Sequence, residues 1–591
     1  MNKVLVLWKK SIIYIIHFGP IAFFYKVVAY LNDRIIKYHN KFNYSDFIKK
    51  DTRYDIKKIK TDIEKFKYNP LISVIIPTYN TPIKFLIEAL NSVRSQFYEN
   101  WEIIIYDDAS TQKELISYLK NITNKKIHVF FSKKNNHISK NTDLAISKSS
   151  GEYIAFLDHD DTISKNALYE VVKALNINKN IDYIYTDEDK LNLSGKRVSP
   201  FFKPDLSPEY LFTCMYISHF RVIKKSKIIE VGGHRSEYDG SQDWDLALRI
   251  YEKGSIFFHI PLVLYHWRES KESTASEAFS AKEYAYEAQN YVIQDYIKRN
   301  NLNATVENGL WKGSKRIIWN IVGNPKIVVI IIINDYSFFI KKCIESILEK
   351  TTYNNYELLI IKNNLTNKKN IKYINTLINN KFIKIVKYNK SNNFAIINNW
   401  AVKSISCEHI IFLSSSIEII TNNWIETLLE HSQRKEIGAV GGMIISKDNK
   451  VYQAGIIIGI NKSYGYSQRG YLNYSNGYYG SLTSIRNYSA VNEELLMVEK
   501  YKFQRIGGFS SKFNNLFYGI DLCLRLYKDG WRTVYTPYIK VYTMNNFDNK
   551  NIDLELDSKL FFKKYSQFLK KGDPYYNTNL TLEKEDYSIK V

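Results

Sequence analysis

The sequence predicts an α/β protein made of two tandem, Rossmann-like domains with mostly parallel sheets, preceded by a short helical region. Three observations carry this reading. Apolar β-branched runs alternate with helical patterns at strand–helix–strand spacing. Each run stops at polar or acidic residues, and the same order of segments recurs about 255 residues further along. A chain of 591 residues also exceeds one ordinary core and points to at least two domains.

The N-terminal region comes first. Lys9, Lys10 and Lys26 bracket an uncharged stretch from Ser11 to Tyr25 that Gly19-Pro20 interrupts, 15 residues where a membrane span needs about 20. No small-residue cleavage site follows it, so it does not read as a signal peptide. Residues 1–70 hold 15 Lys and Arg against 6 Asp and Glu. Two readings stand: residues 1–40 rest on an anionic inner-membrane leaflet, or they form a docking helix on the first domain.

LISVIIPTYN at 71–80 reads as a buried parallel strand entering a loop. A helical pattern through Phe85, Ile87, Ala89, Leu90 and Val93 leads to a second strand, Trp101 to Ile105, which stops at Asp107-Asp108. A third, Tyr153 to Leu157, stops at Asp158-His159-Asp160. In such sheets ligands sit beyond the carboxyl ends of the strands. The repeat is then explicit. Ile327 to Ile333 restates the first strand, Tyr356 to Ile360 the second and Cys407 to Leu413 the third; Ile506-Gly507-Gly508 restates Val231-Gly232-Gly233, and Asp521 to Arg525 restates Asp245 to Arg249. The joint falls after a helical stretch ending near Asn300, with Gly323-Asn324-Pro325 as the last turn.

Composition narrows the function classes. With 45% apolar and 24% charged residues the chain is globular. The net charge of +23 favours anionic partners, but the chain-wide Lys, Asn, Ile and Tyr bias accounts for part of it. No basic helix or nucleic-acid motif is present, so nucleic acid is not an expected partner. Cys214, Cys343, Cys407 and Cys523 are scattered without a C-x-x-C pair, which fits a reducing cytosol better than a zinc site or a disulfide framework.

An acid-rich strand end such as LDHDD suits a divalent cation bridging a diphosphate, because Mg²⁺ and Mn²⁺ prefer carboxylate oxygens. It is equally an ordinary solvated turn or helix cap. Asp107-Asp108 can accept hydrogen bonds from a base or ribose, or cap a helix. In Gly240-Ser241-Gln242-Asp243-Trp244-Asp245, Asp245 or Ser241 is the expected N-cap, which leaves Asp243 free. His266 ends an apolar run as a structural residue or a metal ligand.

The series IIPTYN, YDDAST, FLDHDD, TDEDK, GSQDWDLALR and LYHWR resembles glycosyltransferase family 2, inverting enzymes of the GT-A fold. The later VVIIII, NNFAIINNWA, IGAVGGMI, YQAG, RNYSAV, DLCLR and GDPYYNTNL resemble the second module of two-domain members that build bacterial surface polysaccharides such as O-antigen and rhamnan. The resemblance implies that Thr78, Asp107, Asp108 and Asp158 face the nucleotide, and that Asp158, Asp160 and His266 hold Mg²⁺ or Mn²⁺. It makes Asp243 the catalytic base. It further implies a UDP- or dTDP-sugar donor, a glycan or lipid-linked glycan acceptor, and a cytoplasmic protein peripheral to the membrane. The chain then divides into a helical region at 1–70, a catalytic domain at 71–300, a linker at 301–326, a second domain at 327–550 and a tail at 551–591. The second domain departs from the pattern: Lys362 stands against Asp107, Ser414 and Ser416 against Asp158 and Asp160, Gly519 against Asp243 and Thr543 against His266. It is expected to keep the fold without the chemistry. The alternative is a non-catalytic glycan-binding or scaffolding protein.

Overall fold

A computed structural model describes residues 20, 23–24, 26–29, 31, 44–269, 283–513, 517–545 and 554–590. The first sheet is built from β1 (Ile72–Thr78), β2 (Trp101–Asp107), β3 (Ile127–Phe131), β4 (Tyr153–Phe156), β5 (Thr162–Ile163), β6 (Tyr183–Leu191), β7 (Arg197–Phe201), β8 (Val222–Lys224) and β9 (Phe257–Arg268). Their spatial order is β3-β2-β1-β4-β8-β6-β9-β5, with β7 on the side of β6. Pairs among β1 to β4 are parallel, as is β6 with β9; β8 runs antiparallel between β4 and β6. The strand interior is apolar on both faces because helices cover both: every residue of β1 is buried. The helix Ile83–Arg94 follows from Leu86, Ala89, Leu90 and Val93, which recur at three- and four-residue steps and bury one stripe on that sheet.

After the hairpin β10 (Ala304–Asn308) and β11 (Lys315–Trp319), the second sheet contains β12 (Ile327–Ile333), β13 (Tyr356–Lys362), β14 (Ile383–Lys387), β15 (His409–Leu413), β16 (Ile417–Ile419) and β17 (Ile437–Ile445). Beyond these come β18 (Val451–Gln453), β21 (Arg486–Tyr488), β22 (Leu495–Glu499) and β23 (Arg532–Thr543), while β19 (Ile456–Ile458) and β20 (Tyr464–Tyr466) pair with each other as a separate two-stranded sheet. The order of the second large sheet, β14-β13-β12-β15-β22-β17-β23-β16, repeats the first sheet place for place. The repeat in the sequence is therefore a repeat of topology, and the two tandem α/β domains with mostly parallel sheets are present as expected.

The junctions are more structured than the sequence indicates. Residues 301–326, expected as a linker, contain the β10–β11 hairpin: Ile317 joins the core of the first domain while Arg316 Nη2 donates to Glu430 Oε1 of the second at 3.0 Å. The tail forms the helix Leu554–Lys571 and then a segment that stitches the halves together. Asn577 Nδ2 donates to both Asp187 carboxylate oxygens, at 3.0 and 2.9 Å, and to the Lys203 carbonyl at 2.8 Å. Four residues earlier Asp573 Oδ2 accepts the Ile458 N–H at 2.7 Å. Near the N-terminus Lys26 Nζ donates to the Tyr474 carbonyl at 2.7 Å, and Phe47 packs edge-on against Phe202 with centroids 5.2 Å apart. Most of residues 1–40 lie outside the described residues, and with them the expected membrane contact. Among the described residues no helix is long and apolar enough to cross a membrane.

Glu209 is the electrostatic pin between the domains. Its side chain is 1% exposed; Oε1 receives Arg434 Nη2 at 3.0 Å and Arg532 Nη2 at 2.9 Å, and Oε2 receives Arg532 Nε at 3.1 Å. Burial alone would raise its proton affinity, but Arg532 and Arg434 outweigh it and push the carboxyl down to about 2. Its contribution to stability is thus fully present above the unfolded Glu value of about 4.3, and is lost as pH falls toward about 2. Glu209→Gln removes the buried carboxylate shared by the two guanidinium groups, leaving them only the more exposed Glu436, 2.6 Å from Arg434 and 3.7 Å from Arg532, and should cost about 3 kcal/mol. Differential scanning calorimetry at pH 7 should show a drop of several degrees in the unfolding midpoint, shrinking as the pH is lowered from 5 toward 3; an unchanged midpoint at pH 7 would contradict the assignment.

Candidate active site

The first sheet brings the ends of β1, β2 and β4 to one edge. Thr78 closes β1, buried, and its carbonyl accepts the Asp108 N–H at 2.8 Å. Asp107 closes β2: Oδ1 accepts the Ser110 hydroxyl at 2.6 Å and Oδ2 the Ser110 N–H at 3.0 Å. Asp108 Oδ1 accepts the Asn136 N–H at 2.8 Å and its side-chain amide at 3.2 Å. The two acids shape the loops at this edge. An ionised carboxylate has about four lone-pair sites, so each keeps acceptor capacity for a ligand.

Beyond β4 the acid-rich turn is braced from β9. Asp161 is fully buried, accepts the Tyr265 hydroxyl at 2.6 Å and accepts the Arg268 N–H at 2.7 Å. Tyr265 in turn accepts the Asp158 N–H at 3.3 Å, and Arg268 Nε donates to the Asp160 carbonyl at 2.6 Å. This bracing leaves Asp158 exposed and Asp160 half-buried at the cleft. Burial raises the proton affinity of Asp160, with His159 opposing and Asp158 reinforcing the rise. Two neighbouring carboxylates that gain by sharing a cation fit the chemistry of Mg²⁺ or Mn²⁺, which takes one or two protein carboxylates and completes its shell with phosphate and water. Among the described residues no three His, Cys, Asp or Glu side chains gather to hold a metal without such help.

His266 is not brought to this pair. Successive residues of a strand face opposite sides of the sheet, so while Tyr265 points at the acid turn, His266 points away. Its Nδ1 lies 2.6 Å from Asp189 Oδ1 and its Nε2 3.0 Å from Ser164 Oγ, which engages both ring nitrogens. Asp189 is held further by Arg197 Nε at 2.6 Å and by the Tyr44 hydroxyl. His266, expected as a third ligand, is engaged here in a buried network that secures the 44–51 segment.

Asp243 sits in the first turn of the helix Gln242–Glu252. Ser241 takes the N-cap position as expected, but its hydroxyl donates to the Ala285 carbonyl at 3.1 Å instead of receiving a helix N–H, and Asp245 is paired with Arg249 at 2.6 Å and with Arg235. Asp243 Oδ1 instead lies 2.5 Å from Arg221 Nη2. Burial would raise this carboxyl, but the Arg221 guanidinium overcomes it and holds it below the ordinary Asp range. Arg221 is itself buried, with its guanidinium 4.5 Å over the Phe156 ring, and its Nε and Nη1 make no hydrogen bond among the described residues. Buried donors left unpaired are costly and mark a polar site built for something else to enter.

Sequence reading did not reach Arg221 or His219, and it noted Glu188 only within TDEDK, without a catalytic role. His219 stacks on Tyr265 with centroids 4.6 Å apart, and its Nδ1 lies 3.3 Å from Glu188 Oε2. Glu188 also takes Lys203 Nζ at 2.8 Å; burial acts against ionisation there, yet Lys203 and His219 push the carboxyl down to about 2. The available signal was a basic residue, Arg221, at the mouth of an apolar strand.

Comparison with known proteins agrees with this division. The model of glycosyl transferase family 2 matches residues 73–232 and again 327–495. The uncharacterized protein y4gI of Sinorhizobium fredii is 31% identical over 541 residues, covering 89% of this chain and 59% of that protein. The O-antigen biosynthesis protein RfbC of Myxococcus xanthus is 30% identical over 536 residues, covering 89% of this chain and 42% of that one. The chain thus spans about half the length of these relatives. Among solved structures, S. aureus TarS 1-349 in complex with UDP-GlcNAc is 21% identical over 37% of this chain and 65% of that chain, with a TM-score of 0.32. Because the family model matches both halves, in order and over more than half of the residues, the chain belongs to glycosyl transferase family 2.

Proposed function

We propose that this chain transfers a sugar, with inversion, from a UDP- or dTDP-sugar to a hydroxyl of a bacterial surface glycan, lipid-linked during assembly, and that the chemistry lies in the first domain. The observation that carries the reading is that the Arg221 guanidinium pairs with Asp243 and also feels the charge of Asp158, the first acid of the turn after β4. The second domain holds Ser414, Ser416 and Gly519 in the places of Asp158, Asp160 and Asp243. The relative named for O-antigen biosynthesis supports the acceptor class. Residues 1–40 would hold the protein at the cytoplasmic face of the membrane.

In this account Thr78, Asp107 and Asp108 border the nucleotide. Asp158 and Asp160 would hold Mg²⁺ or Mn²⁺, which offsets charge on the departing nucleoside diphosphate. Asp243 accepts the acceptor hydroxyl's proton as its oxygen attacks the anomeric carbon from the face opposite the leaving group. Arg221 keeps Asp243 ionised and ready to accept that proton. His219 and Glu188, beside Tyr265, border the same cleft. The second domain supplies interface and frame rather than a second transfer of this kind.

Three measurements test the proposal. Screening UDP- and dTDP-sugars with and without Mn²⁺ for nucleoside diphosphate release identifies the donor; with it, Asp243→Asn should lower kcat by about 10²–10⁴-fold, and full activity would remove Asp243 from the base role. Arg221→Gln removes the cation that depresses Asp243, so the acidic limb of the kcat/KM profile should move up by about 1–3 pH units; an unmoved limb contradicts the pairing. His266→Gln should leave the Mn²⁺ concentration for half-maximal activity within about twofold while lowering thermal stability, whereas Asp160→Asn raises it tenfold or more, in line with loss of a ligand. A tenfold rise with His266→Gln would restore histidine to the metal.

A further inference from the structure

The corresponding edge of the second sheet has been rebuilt. The pairing of His409 with Glu499 in β15–β22 corresponds to that of Tyr153 with Lys224 in β4–β8. Counting back five residues in each strand puts Glu494 in the place of His219 and Glu493 in the place of Ser218. Glu493 fills the space beside Gly519, the counterpart of Asp243. A Cβ placed on Gly519 would strike the Glu493 carboxylate, 2.9 Å from its Cβ and 3.1 Å from its Cδ. The carboxylate missing from the helix therefore returns from the turn that leads into β22.

Around these glutamates stands an aromatic wall. Tyr464 meets Tyr466 edge-on at 5.8 Å, Tyr466 lies 6.0 Å from Tyr452, and the Arg469 guanidinium covers both Tyr452 and Tyr466 at 4.9 and 5.3 Å. Glu493, Glu494 and the three tyrosines are each half-buried, as residues lining a cleft are. Glu494 Oε1 accepts Asn545 Nδ2 at 3.2 Å, and the same amide reaches Ser416 Oγ at 3.2 Å. Glu494 Oε2 is buried and makes no hydrogen bond among the described residues. Burial pushes both glutamates up to about 7, so near neutral pH each can accept or donate a hydrogen bond.

The chemistry of this lining selects among ligands. Ser414 and Ser416 do not replace Asp158 and Asp160 as hard-cation ligands, and two glutamates disfavour a diphosphate. An apolar ligand would leave Glu494 Oε2 unpaired at a cost of about 1–3 kcal/mol. A neutral pyranose satisfies both demands, with hydroxyls for the carboxyl groups and C–H faces for the tyrosine rings. We propose that the second-domain cleft binds a neutral sugar unit of a glycan, its hydroxyls held by Glu493 and Glu494 and its ring lying against Tyr452, Tyr464 and Tyr466. This site is separate from the transfer chemistry proposed for the first domain and does not rest on it.

Saturation-transfer NMR on the full chain tests it with the methyl glycosides of glucose, galactose, mannose, rhamnose and N-acetylglucosamine, each at millimolar concentration. At least one glycoside should receive saturation, equally in wild type and in Asp243→Asn. The effect should fall at least tenfold in the double variant Glu493→Gln, Glu494→Gln, and, should that variant unfold, in Tyr464→Leu. The proposal is overturned if no glycoside responds, if the response survives in the folded variants of the second cleft, or if Asp243→Asn abolishes it.

Discussion

Asp161 is the group on which the geometry of the first cleft depends. Three acids in four residues repel one another, and only one of them is taken out of solvent, received by the Tyr265 hydroxyl and the Arg268 N–H of β9. Burial, with the charges of Asp158 and Asp160 adding to it, drives the Asp161 carboxyl well above the usual range. The turn is held by that buried carboxyl, and the other two acids are left facing the cleft. The same strand carries His266 on its other face to the network that fastens the N-terminal segment, so one strand both shapes the site and secures the chain in front of it.

Duplication kept this frame and changed its charges. Strand order is identical in the two sheets, and the buried arginine–aspartate pair of the helix that follows recurs: Asp245 with Arg249 at 2.6 Å, Asp521 with Arg525 at 2.7 Å. Those pairs belong to the fold, since both arginines also bind the carbonyls of the glycine turn packed beside the helix. What differs lies at the carboxyl edge, where carboxylates gave way to hydroxyls and a glycine while Glu493 and Glu494 entered from the turn before β22. A fold of this kind tolerates such exchange because the edge is polar and outside the packed core.

The strands, their acidic ends and the repeat were legible in the sequence, since fully buried parallel strands are unbroken apolar runs and a repeated topology repeats its segment order. The sequence did not show which face a residue takes at a strand end: Tyr265 and His266 are neighbours with opposite destinations. Nor did it show pairings across distant segments. Arg221 meets Asp243 from another element, Asn577 reaches Asp187 from the tail, and Glu209 meets Arg532 across the interface. Local capping rules put Ser241 at the N-cap, where it is, but did not show that tertiary partners claim its hydroxyl and the Asp245 carboxylate. The gap read as a linker holds a hairpin that joins the two cores, a role that becomes visible only once the domains are placed.

The central claim is that this doubled protein has one nucleotide site. Isothermal titration of the full chain with the nucleoside diphosphate of its productive donor, in the presence of Mn²⁺, measures this directly. The account requires one site per chain and its loss in Asp158→Asn. Two sites per chain, or one that survives Asp158→Asn, would contradict it.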